Sequence, residues 1–197
     1  MIDRSEIEVF ILAGGKSRRM GMDKGLVHYN GQPMITRILN VIEELELETC
    51  IISSNPDYLK FGKPVLQDLI PGKGPMGGLY TALTYSKAPM VFLIACDMPA
   101  INREGVESLL TYSEIGSITI ARDAKQISPL FACYPKSLLS NVKEAVLTDH
   151  LKMQDFVKKQ KHRVVDFEIL YKSEVLQNFN TREELNAAEN TEHESDN

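Results

Sequence analysis

The stretch at 90–96, MVFLIAC, is the most apolar run in the chain, and it is bounded by Pro89 and Asp97. Its uninterrupted apolar character and short length predict a central strand buried on both faces. Such a strand needs helices packed above and below it, as in α/β proteins with a parallel sheet. The rest of the first 120 residues supplies them. Residues 7–13 form a second short apolar run, ended by Gly14 and Gly15. Pro33 opens an amphipathic helix with Ile35, Ile38, Leu39, Ile42 and Leu45 on one face.

Further strands are expected at 49–54, 64–67, 117–121, 129–134 and 163–166. Helices are expected at 76–86, 103–112, 136–148 and 152–160. The two glycines in the helix at 76–86 suggest close packing at its start. A last helix at 181–190 begins with Thr181 and Glu184 placed as a capping box. The alternation predicts a Rossmann-like three-layer αβα fold, with a mostly parallel sheet and an antiparallel strand in the C-terminal half. One domain over 1–190 is expected, with a polar, frayed tail at 191–197.

Composition narrows the function classes. A net charge of −5 argues against general nucleic-acid binding. No run of about eighteen apolar residues exists, so no membrane span is expected. The acidic, polar start MIDRSEIE lacks a secretory pattern, and a cytoplasmic location is expected. Cys50, Cys96 and Cys133 are widely spaced in apolar stretches, read as buried reduced thiols and not as a zinc site.

Against this acidic background, Lys16, Arg18, Arg19 and Lys24 follow the glycine pair closely. Glycines after a buried strand let the backbone approach a ligand and aim N–H groups at it, and added cations make a polyphosphate cradle. A plain strand-to-helix turn with a solvated basic face is the other reading. A P-loop is excluded, because it would need glycine at position 10, which is Phe. A literal G-x-G-x-x-G at Gly72, Gly74 and Gly77 reads as a chance match, since no strand runs into it and Pro75 interrupts it. Asp97 ends a hydrophobic strand, where a buried unpaired carboxylate would be costly. It is expected at the strand mouth, either holding a cation or capping the next helix.

The stretch LAGGKSRRMGMDKG resembles the signature of nucleotidyltransferases of the sugar-nucleotide pyrophosphorylase fold. Its two-glycine form is similar to that of the molybdenum cofactor guanylyltransferases. LQDLIPGKGPMGGLYTAL, LIACDMPAI, SPLFACYPKSLL and NFNTREEL resemble further segments of that family, in the family's order, over residues 7–189. The family joins GMP from GTP to the terminal phosphate of molybdenum-bearing molybdopterin and releases pyrophosphate.

The resemblance implies that Leu12, Ala13 and Gly14 line the nucleotide with backbone groups, and that Gly15 continues toward the phosphates. It implies that Lys24 and Arg19 neutralise the triphosphate and the departing pyrophosphate. Asp97 would hold Mg²⁺, a cation that takes oxygen ligands and shares them with phosphates and water. Asp68 would contact the nucleoside, or else is a turn carboxylate. Asn178 and Asn180 match an Asn-x-Asn assigned to the pterin, or else form a polar turn. The implied partners are GTP and molybdenum-molybdopterin, with molybdenum-insertion and molybdoenzyme-maturation proteins on either side.

Two positions depart from the family pattern. Ser53 stands where an Asn often touches the nucleotide, and Ser128 stands where a His often precedes Pro129. Three other functions compete. A cytidylyltransferase on the same cofactor more often reads L-A-A-G. A silent nucleotide-binding module would be favoured by loss of Asp97 or Lys24, and both are present. Sugar-1-phosphate nucleotidyltransferases are usually longer. Lys24 is expected on a surface loop, where its removal would change stability by about half a kcal/mol or less.

Overall fold

A computed structural model describes residues 2–14, 23–123, 126–167, 173–176 and 184. In chain order the regular elements are β1 (Ile7–Leu12), β2 (His28–Tyr29), β3 (Gln32–Pro33), α1 (Met34–Glu44), β4 (Glu48–Ile52), β5 (Val65–Leu66) and α2 (Gly74–Tyr85). They continue with β6 (Met90–Ala95), α3 (Arg103–Thr111), β7 (Ile118–Arg122), β8 (Ile127–Pro135), α4 (Leu139–Leu147), α5 (Met153–Lys158) and β9 (His162–Asp166).

Seven strands form one sheet in the order β5-β4-β1-β6-β8-β7-β9, with β6 at its centre. β5, β4, β1 and β6 run parallel, β8 is antiparallel to both its neighbours, and β9 is parallel to β7. This is the expected mostly parallel sheet with one reversed strand. Every residue of β6 is buried, because its side chains alternate between two cores. Met90, Phe92 and Ile94 pack with Ile35, Ile38, Val106 and Leu109 from α1 and α3. Val91 and Leu93 pack with Leu79, Val142 and Phe156 from α2, α4 and α5. Burying one such side chain stabilises the fold by about 1.5–3 kcal/mol, so Phe92→Ala would cost about 3–5 kcal/mol once its cavity is included.

The helix expected at 76–86 starts at Gly74, two residues early. Pro75 is tolerated there because first-turn N–H groups have no intrahelical acceptor. The close packing expected at its start is present: a Cβ on Gly78 would stand 2.6 Å from Leu12 Cδ2. β5 ends at Leu66, so no strand enters the G-x-G-x-x-G match. The β2–β3 hairpin was not anticipated. It turns on Asn30 and Gly31, with φ of 49° and 77°, values that favour Asn-Gly. The helix read at 181–190 lies outside the described residues apart from Glu184, as does the tail at 191–197.

All three cysteines are free and buried. Burial pushes the Cys50 thiol up to about 11 and the Cys133 thiol up to about 12, so both remain neutral packing groups.

Candidate active site

In an open parallel sheet, ligands bind beyond the carboxyl ends of the strands, where the strand order reverses. Here the reversal falls between β1 and β6, since β4 and β5 extend the sheet away from β1 on one side. The two strand ends are tied together: the Cys96 N–H donates to the Leu12 carbonyl at 3.1 Å. The Ala13 N–H donates to Ile52 on the other side at 2.9 Å. Gly14 is the first residue past this ladder. It has no positive φ, and a Cβ on it would meet no described atom within 4 Å. Neither backbone strain nor the described neighbouring atoms therefore require glycine at this position.

Asp97 lies two residues past β6, after Cys96. Its carboxylate Oδ2 accepts a hydrogen bond from the Lys24 ammonium at 2.7 Å. Asp97 does not cap α3; that is done by Asn102, whose Oδ1 accepts from the Gly105 N–H at 2.8 Å. The side chains of Lys24 and Asp97 are only 27% and 13% exposed. Lys24 is therefore not the surface lysine expected from the sequence. The turn that carries it, Lys24–Leu26, folds back onto the strand end, and the ion pair compensates two largely desolvated charges.

That turn has a built support. The Asp23 carboxylate accepts a hydrogen bond from the Tyr58 hydroxyl and a longer one from Asn55 Nδ2 at 3.5 Å. Tyr58 is fully buried, and burial raises its hydroxyl far above the usual tyrosine range, with Cys96 and Asp23 adding to the effect. The hydroxyl accordingly remains a permanent donor. Asn55 also caps the 3-10 turn Pro56–Phe61, its Oδ1 accepting from the Asp57 N–H at 3.0 Å. Sequence reasoning met Asn55 only as the end of Ser53-Ser54-Asn55, where the family often has Asn-x-Asn, and assigned no role to it or to Tyr58, although Asn-Pro-Asp is a legible helix-start signal.

Ser53 lies one residue past β4 and is 4% exposed. Its N–H donates to the Leu66 carbonyl at 2.8 Å, and its Oγ accepts from the Asn55 N–H at 3.1 Å. Asp68 lies two residues past β5, on the same edge of the sheet. Its Oδ1 is sealed from solvent and has no hydrogen-bond partner among the described residues. Burial raises the Asp68 carboxyl above the ordinary range, and the nearby Thr81 hydroxyl opposes part of that rise. A buried acceptor without a donor is rare in native folds and is costly unless something supplies one. Lys73 in the adjoining loop pairs with Asp149 Oδ1 at 2.6 Å, anchoring that loop near the end of α4. Ser128 sits half-buried in β8 beside Ala121.

The structure thus brings Gly14, Lys24, Ser53, Asp68 and Asp97 to one edge of the sheet, where Leu12 ends β1 and Ala13 follows it. Gly15, Arg19, Asn178 and Asn180 lie outside the described residues. Among the described residues no three His, Cys, Asp or Glu side chains form a metal-holding cluster. Asp97 offers a single hard oxygen donor group. That fits Mg²⁺, which is bound through one or two carboxylates with substrate phosphates and water completing its shell. No described helix is long and apolar enough to cross a membrane.

Residues 9–164 match the model of the MobA-like NTP transferase domain. The chain is 37% identical over 187 residues to the probable molybdenum cofactor guanylyltransferase of Flavobacterium johnsoniae, covering 91% of this chain and 95% of the other. It is 30% identical over 188 residues to the molybdenum cofactor guanylyltransferase of Pseudomonas putida, covering 92% of this chain and 97% of that one. Among solved structures, the molybdopterin-guanine dinucleotide biosynthesis protein A of Archaeoglobus fulgidus superposes with a TM-score of 0.77 over 95% of this chain and 99% of its own, at 21% identity. That likeness shows a shared fold. With its strand order, its paired Lys24 and Asp97 and these relatives, the chain belongs to the molybdenum cofactor guanylyltransferase family of MobA-like NTP transferase domains.

Proposed function

We propose that this protein transfers GMP from GTP to the terminal phosphate of molybdenum-bearing molybdopterin. A terminal phosphate oxygen of the pterin substrate attacks the α-phosphorus of GTP. The bond from that phosphorus to the oxygen bridging the β-phosphate breaks, and pyrophosphate leaves with the bonding electron pair. The observation that carries this reading is the Lys24–Asp97 pair at the end of the central strand, next to the first glycine past β1.

Each residue has a separable task. Lys24 presents a fixed cation where charge builds on the leaving pyrophosphate. Asp97 would hold Mg²⁺, which when bound supplies a further positive charge to the phosphates. Asp68, two residues past β5, would contact the nucleoside. Gly14 leaves room for a purine beside the backbone. Arg19 would add a second cation, Gly15 would continue the turn, and Asn178 with Asn180 would meet the pterin. On this reading the protein would act in the cytoplasm, between a molybdenum-inserting enzyme and the proteins that mature molybdoenzymes.

The test is pyrophosphate release measured with each nucleoside triphosphate, with and without molybdenum-loaded molybdopterin. Release that requires both GTP and the loaded pterin is expected. Preference for CTP would move the chain to cytidylyl transfer, and no release with any triphosphate would make it a binding module.

A further inference from the structure

Lys24 needs a cause for its position. It is carried by a three-residue turn, Lys24–Leu26, and not by a strand or a long helix. Yet its ammonium stands 2.7 Å from a carboxylate at the end of the central strand. Two independent observations locate the support. The first is the hydrogen bond from the buried Tyr58 hydroxyl to Asp23, the residue directly before Lys24. The second is Gly25, the residue directly after it. A Cβ on Gly25 would stand 2.6 Å from Tyr58 Oη, 3.0 Å from Cys96 Cβ and 3.2 Å from Cys96 Sγ. The turn therefore rests on Tyr58 and Cys96 with no space between them.

We propose that Tyr58 is a positioning residue for Lys24, holding Asp23 and bearing Gly25 so that the ammonium is fixed beside Asp97. The inference rests on the phosphate-facing role given to Lys24 above. Tyr58 comes from the 3-10 turn Pro56–Phe61, which Asn55 starts and which Gly62 ends in the left-handed conformation. The brace thus runs from the segment after β4, through Asp23, to the segment after β1. It couples two parts of the sheet edge that meet the same ligand. A long, flexible ammonium gains transition-state leverage only when its backbone is held within a fraction of an ångström.

The test is a double-mutant cycle read by affinity for inorganic pyrophosphate in the presence of Mg²⁺, and by turnover. Tyr58→Phe keeps the ring and removes the hydroxyl. On the wild-type background it should weaken pyrophosphate binding about tenfold and lower kcat by a similar factor. On the Lys24→Ala background the same change should alter binding less than about twofold, because its effect passes through Lys24. Equal losses on both backgrounds, or no loss in a folded Tyr58→Phe protein, would overturn the proposal.

Asp23 gives a second route should Tyr58→Phe fail to fold, since Asp23 is only half-buried. Asp23→Ala removes a negative charge near the phosphates, which by electrostatics alone should tighten pyrophosphate binding. If Asp23 is the brace, binding weakens instead, and Asp23→Asn, which keeps an acceptor oxygen for Tyr58, restores it. Tighter binding by Asp23→Ala overturns the brace. Pyrophosphate affinity does not depend on the base or the acceptor. A wild type that binds pyrophosphate but prefers another nucleotide therefore refutes guanylyl transfer alone and leaves the cycle decisive.

Discussion

Lys24→Ala separates what the lysine does for the fold from what it does for the reaction. Removing one member of a fully buried ion pair costs about 3–5 kcal/mol, because the other charge is left buried and uncompensated. Removing one member of an exposed pair costs about 0–1 kcal/mol. With side chains 27% and 13% exposed, the Lys24–Asp97 pair lies between these limits. Water can reach part of the abandoned carboxylate, so a loss of about 1–2 kcal/mol is expected. For a chain of 197 residues this lowers the thermal midpoint by about 2–8 °C. That is several times the effect expected of a surface lysine.

The catalytic loss should be larger. A fixed cation facing developing phosphate charge contributes on the order of 10²-fold in rate, equal to about 2.7 kcal/mol of barrier. The assay pairs calorimetric unfolding with turnover of GTP, corrected for the folded fraction at the assay temperature. Lys24→Met, which keeps the apolar stem, separates packing from charge. An unchanged midpoint would refute the account of the ion pair. A variant that melts early but turns over within about threefold of wild type, per folded molecule, would refute the catalytic role.

Asp97→Asn should keep the fold, since an amide oxygen still accepts from Lys24, and lose most turnover even at saturating Mg²⁺, because an amide is a poor ligand for a hard cation; circular dichroism and turnover measured together decide this. Asp68→Asn should raise the thermal midpoint at pH 7 while lowering activity. Burial raises the folded-state carboxyl, so its stability cost is absent below the ordinary aspartate range and is complete above the raised value; the gain from Asn should fade as unfolding is followed downward through that window. Gly14→Ala should fold within about 0.5 kcal/mol of wild type, since its Cβ meets no described atom. Two guanine donors lost by cytosine, at about 1–3 kcal/mol each, give wild type at least about 30-fold preference for GTP in kcat/KM, and the variant should narrow that ratio.

The layered fold was legible because the pattern of burial is written directly into short segments. MVFLIAC has no polar position, and each of its residues from Met90 to Ala95 is buried. The apolar stripe of α1 was likewise visible as Ile35, Ile38, Leu39, Ile42 and Leu45, all of which are buried. Helix ends were less legible, because Pro75 reads as a breaker until its place in the first turn is known. What the sequence hid is contact at long range. Tyr58 lies 35 residues from Asp23, and nothing local marks its hydroxyl as the donor that Asp23 receives. Lys24 lies 73 residues from Asp97, so a loop lysine could not be distinguished from a paired, largely desolvated one. Motif order marked both charges as candidates, but their mutual compensation follows only from the parallel pairing of β1 with β6.

That pairing also bears on how the site waits for its substrate. An isolated ammonium and an isolated carboxylate at the end of a fully buried strand would each carry a desolvation cost. Held 2.7 Å apart, they offset one another's cost at the strand end before any nucleotide arrives. On the function proposed above, a triphosphate would offer Lys24 a new partner and Asp97 would be released to hold a divalent cation, so neither charge would be left uncompensated. Because Tyr58 and Asn55 hold Asp23 from outside the pair, the turn need not collapse when the exchange occurs. The ion pair alone would give Lys24 its place only while Asp97 is unoccupied. The brace through Asp23 gives it a place that survives into the transition state, which is when a fixed cation lowers the barrier.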